Sequence, residues 1–370
     1  MRIQVFTNTP AHVHLYKHAV RELERRGHEV LVFARDYGCT LALLDAEDLP
    51  YVVYGRCGTT KGSLARNLPG HYVTIARETL RFRPDLIFGM GSYAAHAGAL
   101  SRTPVVLVLD SDIPSIDHRL ATPFARTVLT PAAFTRSLGE RHHVFDGFKE
   151  SAYLHPEVFE PDPSVREALG VASDEPFVVL RFNAFGSHHD VNKSGFTPAE
   201  RRTLIEELAA HATVFISDEG GDLDLSQLPA RAYELHPARL HDALAEASLL
   251  VADTQTMVTE AALLGTPAIR SNAFVGEGDM GNFVEIANAG LIYNLEAFDD
   301  VLERATELLA DPSTERTWER RRDRYVAGMS NLSEIIVDLA EADGYPGSVP
   351  AIRPMDRPDQ TRHTVTVTES

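Results

Sequence analysis

The amino-acid sequence predicts an α/β protein with two doubly wound parallel sheets, one in each half of the chain, that face each other across a cleft. Three observations lead to this prediction. Short apolar runs alternate with segments of helical periodicity through the first third of the chain, and the same alternation restarts after about residue 160. A proline-rich stretch over 155–175 separates the two patterns. Strands that alternate with helices are typical of parallel sheets, and 370 residues suit two domains.

The first half begins with a buried strand over 2–7. A helix follows on which Leu15, Ala19 and Leu23 share one face, and Gly27 marks its end. The pattern then predicts strands at 29–33, 51–54, 85–89 and 105–109, with helices at 39–47 and 64–82.

The second half repeats this organisation. Apolar runs predict strands at 177–182, 213–217, 249–252 and 267–269, and helical spacing predicts helices at 198–210, 239–247 and 257–264. Two α/β units joined by a hinge place a ligand cleft between them.

These patterns set the expected domain boundaries. We expect one α/β domain over 1–155, a hinge over 156–175 and a second α/β domain over 176–330. The helix over 331–342 lies in a segment, 331–344, that could cross back to the first domain. The remaining residues, 345–370, carry four prolines and few large apolar side chains, and predict a flexible tail.

The chain is strongly acidic. Asp and Glu number 53 against 35 basic residues, of which only four are lysines, and the formal net charge is −18. The charge therefore excludes nucleic-acid binding through a basic surface as the main function. Few lysines with a large acidic excess indicate a protein adapted to high salt, because salt screens the repulsion between surface charges. A codon bias toward arginine without salt adaptation is the alternative.

The cysteines and the apolar runs indicate a compartment. Cys39 and Cys57 are too few for a disulfide scaffold and favour a reduced cytosol. The longest apolar runs, such as 104–109 and 247–252, are too short to span a bilayer. The N-terminus enters a strand without a secretory apolar region before it. We expect a cytoplasmic protein, with peripheral association at the inner membrane face left open.

Two histidines follow the first strand. His12 and His14 lie beyond Asn8 in the first strand-to-helix loop. Open α/β sheets place ligands at the carboxyl ends of their strands, and a histidine there can act as a general base near neutral pH. We therefore take His12 and His14 as catalytic candidates and Asn8 as a substrate contact. A helix-capping role for either histidine is the alternative.

Two further loops of the first half carry candidate residues. Gly89, Gly91 and Ser92 are small enough for backbone N–H groups to approach an anion at a helix N-terminus, although a tight turn with close packing is the alternative. Asp110 and Asp112 follow the next strand. These carboxylates could hold an acceptor hydroxyl, bind a metal or cap the following helix, and we take both as catalytic candidates.

The first strand of the second half is followed by Arg181, Asn183, Ser187 and His188. Arg181 and Ser187 suit a diphosphate, and we count all four residues as substrate contacts. The run 188–190 (His-His-Asp) invites a metal site, but adjacent side chains on a strand point in opposite directions. No other group of Cys and His has ligand spacing, and we expect no metal site.

The most specific segment is 249–267, which predicts a strand, a hydroxyl-rich turn and a helix. Thr254 and Thr256 offer hydroxyl groups beside the helix N-terminus, where phosphate is favoured. Glu260 lies one turn further, and its carboxylate suits the two vicinal hydroxyls of a ribose. A helix cap with a dipole-favoured glutamate is the alternative.

These motifs carry a family resemblance. Segments 11–30, 89–93 and 104–114 resemble the lipid-linked N-acetylglucosaminyltransferase of peptidoglycan synthesis, and 253–267 also resembles the non-hydrolysing UDP-N-acetylglucosamine 2-epimerases. Over most of 1–330 the chain resembles an uncharacterised family of the same GT-B superfamily. The marks of that family are 10–14, 149–156, 188–190 and 256–267.

The resemblance implies a GT-B fold of two Rossmann-like domains, with the acceptor held by 1–155 and a nucleotide sugar by 176–330. Glu260 would bind the ribose, Thr254 and Thr256 would lie near the diphosphate, and His12 would be the base. The implied activity is metal-independent sugar transfer without a cofactor. The donor would be a UDP-linked or other nucleoside-diphosphate sugar. The acceptor would be an unidentified hydroxyl compound, with a lipid-linked acceptor among the options.

Two alternatives share this fold: a sugar-nucleotide epimerase and a non-catalytic nucleotide-sugar-binding protein. The oligomeric state is not indicated by the sequence. Lys149, Glu150 and Tyr153 lie near the hinge without an assigned role.

Overall fold

The computed structural model describes residues 1–56, 61–113, 115–182, 195–218, 223–273, 275–276 and 279–355, with side chains from residue 66 onward in the helix that begins at Lys61. Within these ranges the chain forms two twisted sheets, one of eight strands and one of six. No helix in the described part combines the length and apolarity that a membrane crossing requires.

Seven parallel strands form most of the first sheet. In chain order they are β1 (Arg2–Thr7), β2 (Glu29–Asp36), β3 (Tyr51–Arg56), β4 (Leu86–Gly89), β5 (Val105–Val108), β6 (Thr127–Pro131) and β7 (His142–Phe145). Their spatial order is β3-β2-β1-β4-β5-β6-β7. The order reverses beside β1, which pairs Ile3 with Val30 of β2 on one side and with Leu86 of β4 on the other.

The second sheet repeats the arrangement with six parallel strands. These are β8 (Phe177–Phe182), β9 (Thr213–Asp218), β10 (Arg231–Ala232), β11 (Leu249–Ala252), β12 (Ala268–Arg270) and β13 (Ile292–Asn294), in the order β10-β9-β8-β11-β12-β13. Here the order reverses between β8 and β11. A doubly wound sheet binds ligands outside the carboxyl ends of its strands at such a reversal, so the loops after β1, β4, β8 and β11 are the places to examine.

Helices cover both sheets. They are α1 (Pro10–Arg25), α2 (Thr40–Ala46), α3 (Lys61–Phe82), α4 (Ser92–Ser101), α5 (Ile116–Ala121), α6 (Ser151–Leu154), α7 (Val165–Leu169), α8 (Pro198–Leu208), α9 (Leu240–Glu246), α10 (Thr256–Leu264), α11 (Gly281–Asn288), α12 (Phe298–Ala310), α13 (Thr314–Val326) and α14 (Leu332–Glu341). The central strands β4, β5, β6 and β11 are buried along their whole length, as expected for sheets covered on both faces.

The last helix crosses back to the first domain. α14 packs against α1 and α6, and the Ser333 hydroxyl donates a 2.7 Å hydrogen bond to the carbonyl of Ala152. Because Leu332, Ile336 and Leu339 are buried there, the amphipathic face of α14 closes the first domain.

The expected flexible tail over 345–370 is wrong for its first part. A final strand β14 (Ile352–Pro354) pairs antiparallel with β7, with Ile352 opposite Phe145. The Thr127 hydroxyl also donates to the carbonyl of Gly344 at 2.7 Å. The strand pairing is made with backbone groups at the edge of the sheet, and the composition of a proline-rich segment does not reveal it. Residues 356–370 lie outside the described residues.

Most of the expected elements are present within three residues of the expected bounds, from β1 to α10 and again at α14. The sequence patterns missed β6, β7 and β13. These strands are only three to five residues long, and β6 ends in Pro131, so period and composition give little signal.

Candidate active site between the two domains

The carboxyl ends of the two sheets face each other across a small enclosed space. The first domain contributes Asp110, Pro131, Phe148, Lys149 and Glu150 to its lining, and the second contributes Gln255, Thr256, Thr259, Met280, Asn282 and Phe283. The space measures about 40 Å³, enough for water molecules but not for a nucleotide sugar.

A buried cluster of charged side chains lines one side of this space. The Lys149 ammonium donates a 2.5 Å hydrogen bond to Asp110 Oδ2 and lies 3.4 Å from Glu150 Oε1. Lys149 and Glu150 are 7% and 5% exposed. Burial disfavours the charged ammonium of Lys149 and lowers its pKa. The negative charges of Asp110 and Glu150 have the larger combined effect, so the pKa of Lys149 is raised. Burial also opposes the charge of Asp110, yet Lys149 lowers the net pKa of that carboxyl.

Glu150 differs from Asp110 in its protonation. Burial raises the pKa of Glu150 to about 7, with Asp110 and Glu260 adding to the rise and Lys149 opposing it. A carboxyl that exchanges its proton near neutral pH is suited to general acid–base chemistry. No sequence pattern predicts a role for Lys149 or Glu150. Their only signal was the hinge motif 149–156, because the contact with Asp110 spans 39 positions of the chain.

His12 lies beside this cluster, but its ring does not present a free base. Its Nδ1 accepts a 3.2 Å hydrogen bond from the backbone N–H of Asn8, so the neutral ring carries its proton on Nε2. Burial lowers the pKa of His12 to about 3, although the negative charge of Asp110 acts to raise it. In this arrangement His12 offers a ligand a hydrogen-bond donor, and its role as the base stays a prediction.

The neighbouring candidates of the same loop are committed to internal contacts. The Asn8 side chain accepts a 2.7 Å hydrogen bond from the Tyr54 hydroxyl. His14 is buried against the rings of His241 and Tyr153, with ring centroids 4.6 and 5.3 Å away. It lies with Glu260 rather than with Asp110. His14 Nδ1 has no hydrogen-bond partner among the described residues, and the role of His14 as a base stays a prediction.

Glu260 is buried and already holds two hydrogen bonds. Its Oε1 accepts from the Tyr153 hydroxyl at 2.8 Å and from His241 Nε2 at 3.1 Å. Burial opposes the carboxylate charge, but His241, Tyr153 and Lys149 lower the net pKa of Glu260. The carboxylate is thus ionised and oriented at neutral pH.

Asp112 connects the two domains instead of capping a helix. Its Oδ2 accepts from the Thr135 hydroxyl at 2.9 Å and from the backbone N–H of Gly281, the first residue of α11, at 3.3 Å. The expected cap of α5 is instead Ser115, whose hydroxyl accepts from the His118 N–H. Asp112 therefore contacts the second domain, and its catalytic role stays a prediction.

At the loop after β4, where backbone N–H groups were expected to bind an anion, the carboxylate of Asp117 lies instead. Asp117 Oδ1 accepts from both the backbone N–H and the hydroxyl of Ser92, at 3.2 and 2.5 Å. A Cβ on Gly91 would lie 2.3 Å from Asp117, and one on Gly89 would lie 2.4 Å from the Cβ of Ala94. Both glycines permit close packing, which is the alternative that the sequence offered, and the substrate contacts expected at Gly89, Gly91 and Ser92 stay a prediction.

The N-terminus of α10 remains open to a ligand. Thr256 lines the enclosed space, and the Thr254 hydroxyl has no hydrogen-bond partner among the described residues. Backbone N–H groups of the first helical turn carry partial positive charge and favour an anion. Thr256 thus lines the same space as Asp110, Lys149 and Glu150 of the first domain.

Arg181 does not reach this space. Its Nη1 donates a 2.6 Å hydrogen bond to the Ser217 hydroxyl at the neighbouring strand end. Asn183, Ser187 and His188 lie outside the described residues, as do His189 and Asp190. Among the described residues, no group of three or more His, Cys, Asp or Glu side chains is placed to hold a metal ion.

Comparisons with known proteins agree with this architecture. Residues 13–146 match the family described as Glycosyltransferase Family 4. An uncharacterised protein of Methanocaldococcus jannaschii is 22% identical over 280 residues, which is 71% of this chain and 79% of that protein. A UDP-N-acetylglucosamine–N-acetylmuramyl-(pentapeptide) pyrophosphoryl-undecaprenol N-acetylglucosamine transferase of Marinobacter nauticus is 31% identical over 143 residues, 36% of this chain and 39% of that enzyme.

Solved structures show the fold. A UDP-GlcNAc 2-epimerase from Neisseria meningitidis bound to UDP-GlcNAc has a TM-score of 0.65 at 14% identity, covering 92% of this chain and 100% of its own. Spinosyn forosaminyltransferase has the same TM-score and identity, covering 93% and 100%. The expected resemblances and the GT-B fold are confirmed. These neighbours include both glycosyltransferases and epimerases.

Proposed function

We propose that the chain is a metal-independent glycosyltransferase that uses a nucleoside-diphosphate sugar, with a UDP-linked sugar as the first candidate. The observation that carries the proposal is the placement of Asp110, Lys149 and Glu150 opposite the N-terminus of α10 across the cleft. One side of the cleft supplies acid–base chemistry, and the other supplies a site for a leaving diphosphate. A transferase needs both in one cleft, the base at the acceptor hydroxyl and the diphosphate site at the donor.

The donor would bind with its diphosphate at the first turn of α10. The Thr254 and Thr256 hydroxyls and the backbone N–H groups there would stabilise the negative charge that grows as the diphosphate leaves. Glu260, one turn further along α10, would accept hydrogen bonds from the ribose hydroxyls. This orientation directs the sugar toward Glu150.

The transfer step would use Glu150 as the general base. Its carboxylate takes the proton of the acceptor hydroxyl while the hydroxyl oxygen forms a bond to the anomeric carbon. The bond from that carbon to the diphosphate breaks, and the nucleoside diphosphate leaves with the electron pair. Lys149 balances the charge of Asp110 and Glu150, and His12 Nε2–H donates a hydrogen bond to the reacting sugar or acceptor.

An apolar ridge beside the first-domain loops supports a lipid-linked acceptor. Ile116, Leu120 and Phe124 follow one another at helical spacing on and after α5 and are 76%, 51% and 48% exposed. Ile113, 43% exposed, lies just before them. Grouped exposed apolar side chains favour an apolar partner. We propose that the ridge receives the chain of such an acceptor at a membrane surface.

A sugar-nucleotide epimerase is the second candidate. Its support is the pair of carboxyls, Asp110 and Glu150, with pKa values displaced in opposite directions at the same cavity. Such a pair could remove a proton from one face of a sugar and return one to the other. No acceptor would then be needed.

One experiment distinguishes these functions. The protein is incubated with UDP-sugars, with and without vesicles that carry a lipid-linked sugar, and UDP release and sugar identity are followed by NMR. Transfer requires UDP release that depends on the acceptor and persists with EDTA. Interconverted sugars without UDP release would favour the epimerase. Binding without either reaction would leave a nucleotide-sugar-binding protein.

A further inference from the structure

We infer that Tyr153 and His241 are positioning residues that hold the Glu260 carboxylate for its ligand; this inference rests on the proposed function, in which Glu260 receives the ribose. Both residues donate to the same oxygen, Oε1, at 2.8 and 3.1 Å. Among the described residues, no group bonds to Oε2. The carboxylate is therefore anchored by one oxygen, and the other remains available for a ligand hydroxyl.

The two donors are themselves held rigidly. Tyr153 is fully buried in α6, and burial raises the pKa of its hydroxyl, which keeps it protonated as a donor. His241, at the start of α9, is 2% exposed. The rings of His14, Tyr153 and Phe159 surround it, with centroids 4.6, 5.1 and 6.1 Å away. A side chain enclosed in this way cannot change rotamer without moving its neighbours.

The anchor joins three parts of the chain. Tyr153 belongs to the short helix that leads into the hinge, His14 belongs to α1 of the first domain, and His241 and Glu260 belong to the second. The orientation of a ligand-binding carboxylate is thus tied to the contact between the domains. This arrangement gives a purpose to Tyr153, the last unassigned member of the hinge motif.

The test measures discrimination between UDP and 2′-deoxy-UDP by calorimetry. If Glu260 binds the ribose, the wild type should bind UDP about tenfold more tightly than 2′-deoxy-UDP. Tyr153→Phe keeps the ring and removes only the hydroxyl, and should reduce this preference to threefold or less. In an active assay it should raise donor KM about five- to tenfold and change kcat by less than twofold.

Tyr16→Phe is the matched control. Tyr16 is buried to the same degree, but its hydroxyl has no partner among the described residues, so the preference for UDP should be unchanged. His241→Gln retains an N–H donor and should preserve more of the preference than His241→Ala. In a Glu260→Ala background, Tyr153→Phe should have no further effect on UDP affinity.

The possible results separate the inference from its premise. The positioning role is overturned if Tyr153→Phe keeps the wild-type preference for UDP over 2′-deoxy-UDP. It is also overturned if Tyr153→Phe lowers UDP affinity as much in the Glu260→Ala background as in the wild type. The proposed function stands in both cases. A wild-type protein that binds neither UDP nor any other nucleoside diphosphate overturns the proposed function and the inference with it. A folded state for each variant is verified by its thermal unfolding curve.

Discussion

Glu150 is the side chain on which the proposed chemistry depends most. Replacing it with Gln keeps the volume and removes the base, so turnover should fall by about 10²–10⁴-fold. Because burial raises the pKa of Glu150 to about 7, the wild-type rate should rise with pH through neutrality as the carboxyl loses its proton. The measurement is kcat against pH for both proteins.

The control for this prediction is Glu157→Gln. Glu157 lies in the same hinge, but its side chain is 61% exposed and its carboxylate accepts from Asn331 away from the cleft. Turnover of this variant should match the wild type. A Glu150→Gln enzyme with normal turnover would remove the base from this position.

His12 tests the alternative base. His12→Asn retains a side-chain oxygen that can accept the Asn8 N–H, but it has no group that can take up a proton in the reaction. If His12 only donates a hydrogen bond, turnover should fall by less than about tenfold, and the limb of the pH profile near 7 should remain. A loss as large as that of Glu150→Gln would instead identify His12 as the base.

At the scale of elements, α11 of the second domain contacts the first domain at Gly281. A Cβ on Gly281 would lie 1.9 Å from the carbonyl oxygen of Ala133 and 3.1 Å from the Thr135 methyl carbon. Gly281→Ala should therefore hold the domains apart and misplace the donor relative to Glu150. We expect kcat to fall tenfold or more with little change in unfolding temperature.

Gly328→Ala provides the comparison for that variant, because an added Cβ there meets no atom within 4 Å. Its kcat should equal that of the wild type. Small-angle scattering of both variants with UDP should show a larger radius of gyration only for Gly281→Ala. Equal rates and equal radii would mean that this contact does not govern closure.

At the scale of the whole molecule, the net charge of −18 is the dominant feature. Exposed charges of one sign repel one another, and the Debye length falls from about 10 Å at 0.1 M salt to about 3 Å at 1 M. If the chain is adapted to high salt, its unfolding temperature should rise with KCl up to molar concentrations. An unfolding temperature independent of KCl would favour a codon bias toward arginine.

The sequence by itself determined the regular part of this protein. Period and composition in 2–109 and 177–269 predicted the strands, their alternation with helices, and the loops in which ligands of this fold lie. These signals are local, because a buried strand or an amphipathic helix carries its pattern within a few residues. The sequence also predicted the helix N-terminus beside Thr254 and Thr256, because that pattern is local too.

Only the tertiary structure decided the chemistry of the cleft. Lys149 meets Asp110, and Tyr153 meets Glu260, across 39 and 107 positions of the chain. Asp117 fills the helix N-terminus at Ser92, which a motif of glycines had suggested was open. Burial, tautomer and pKa depend on which distant groups surround a side chain, and no local pattern specifies those neighbours.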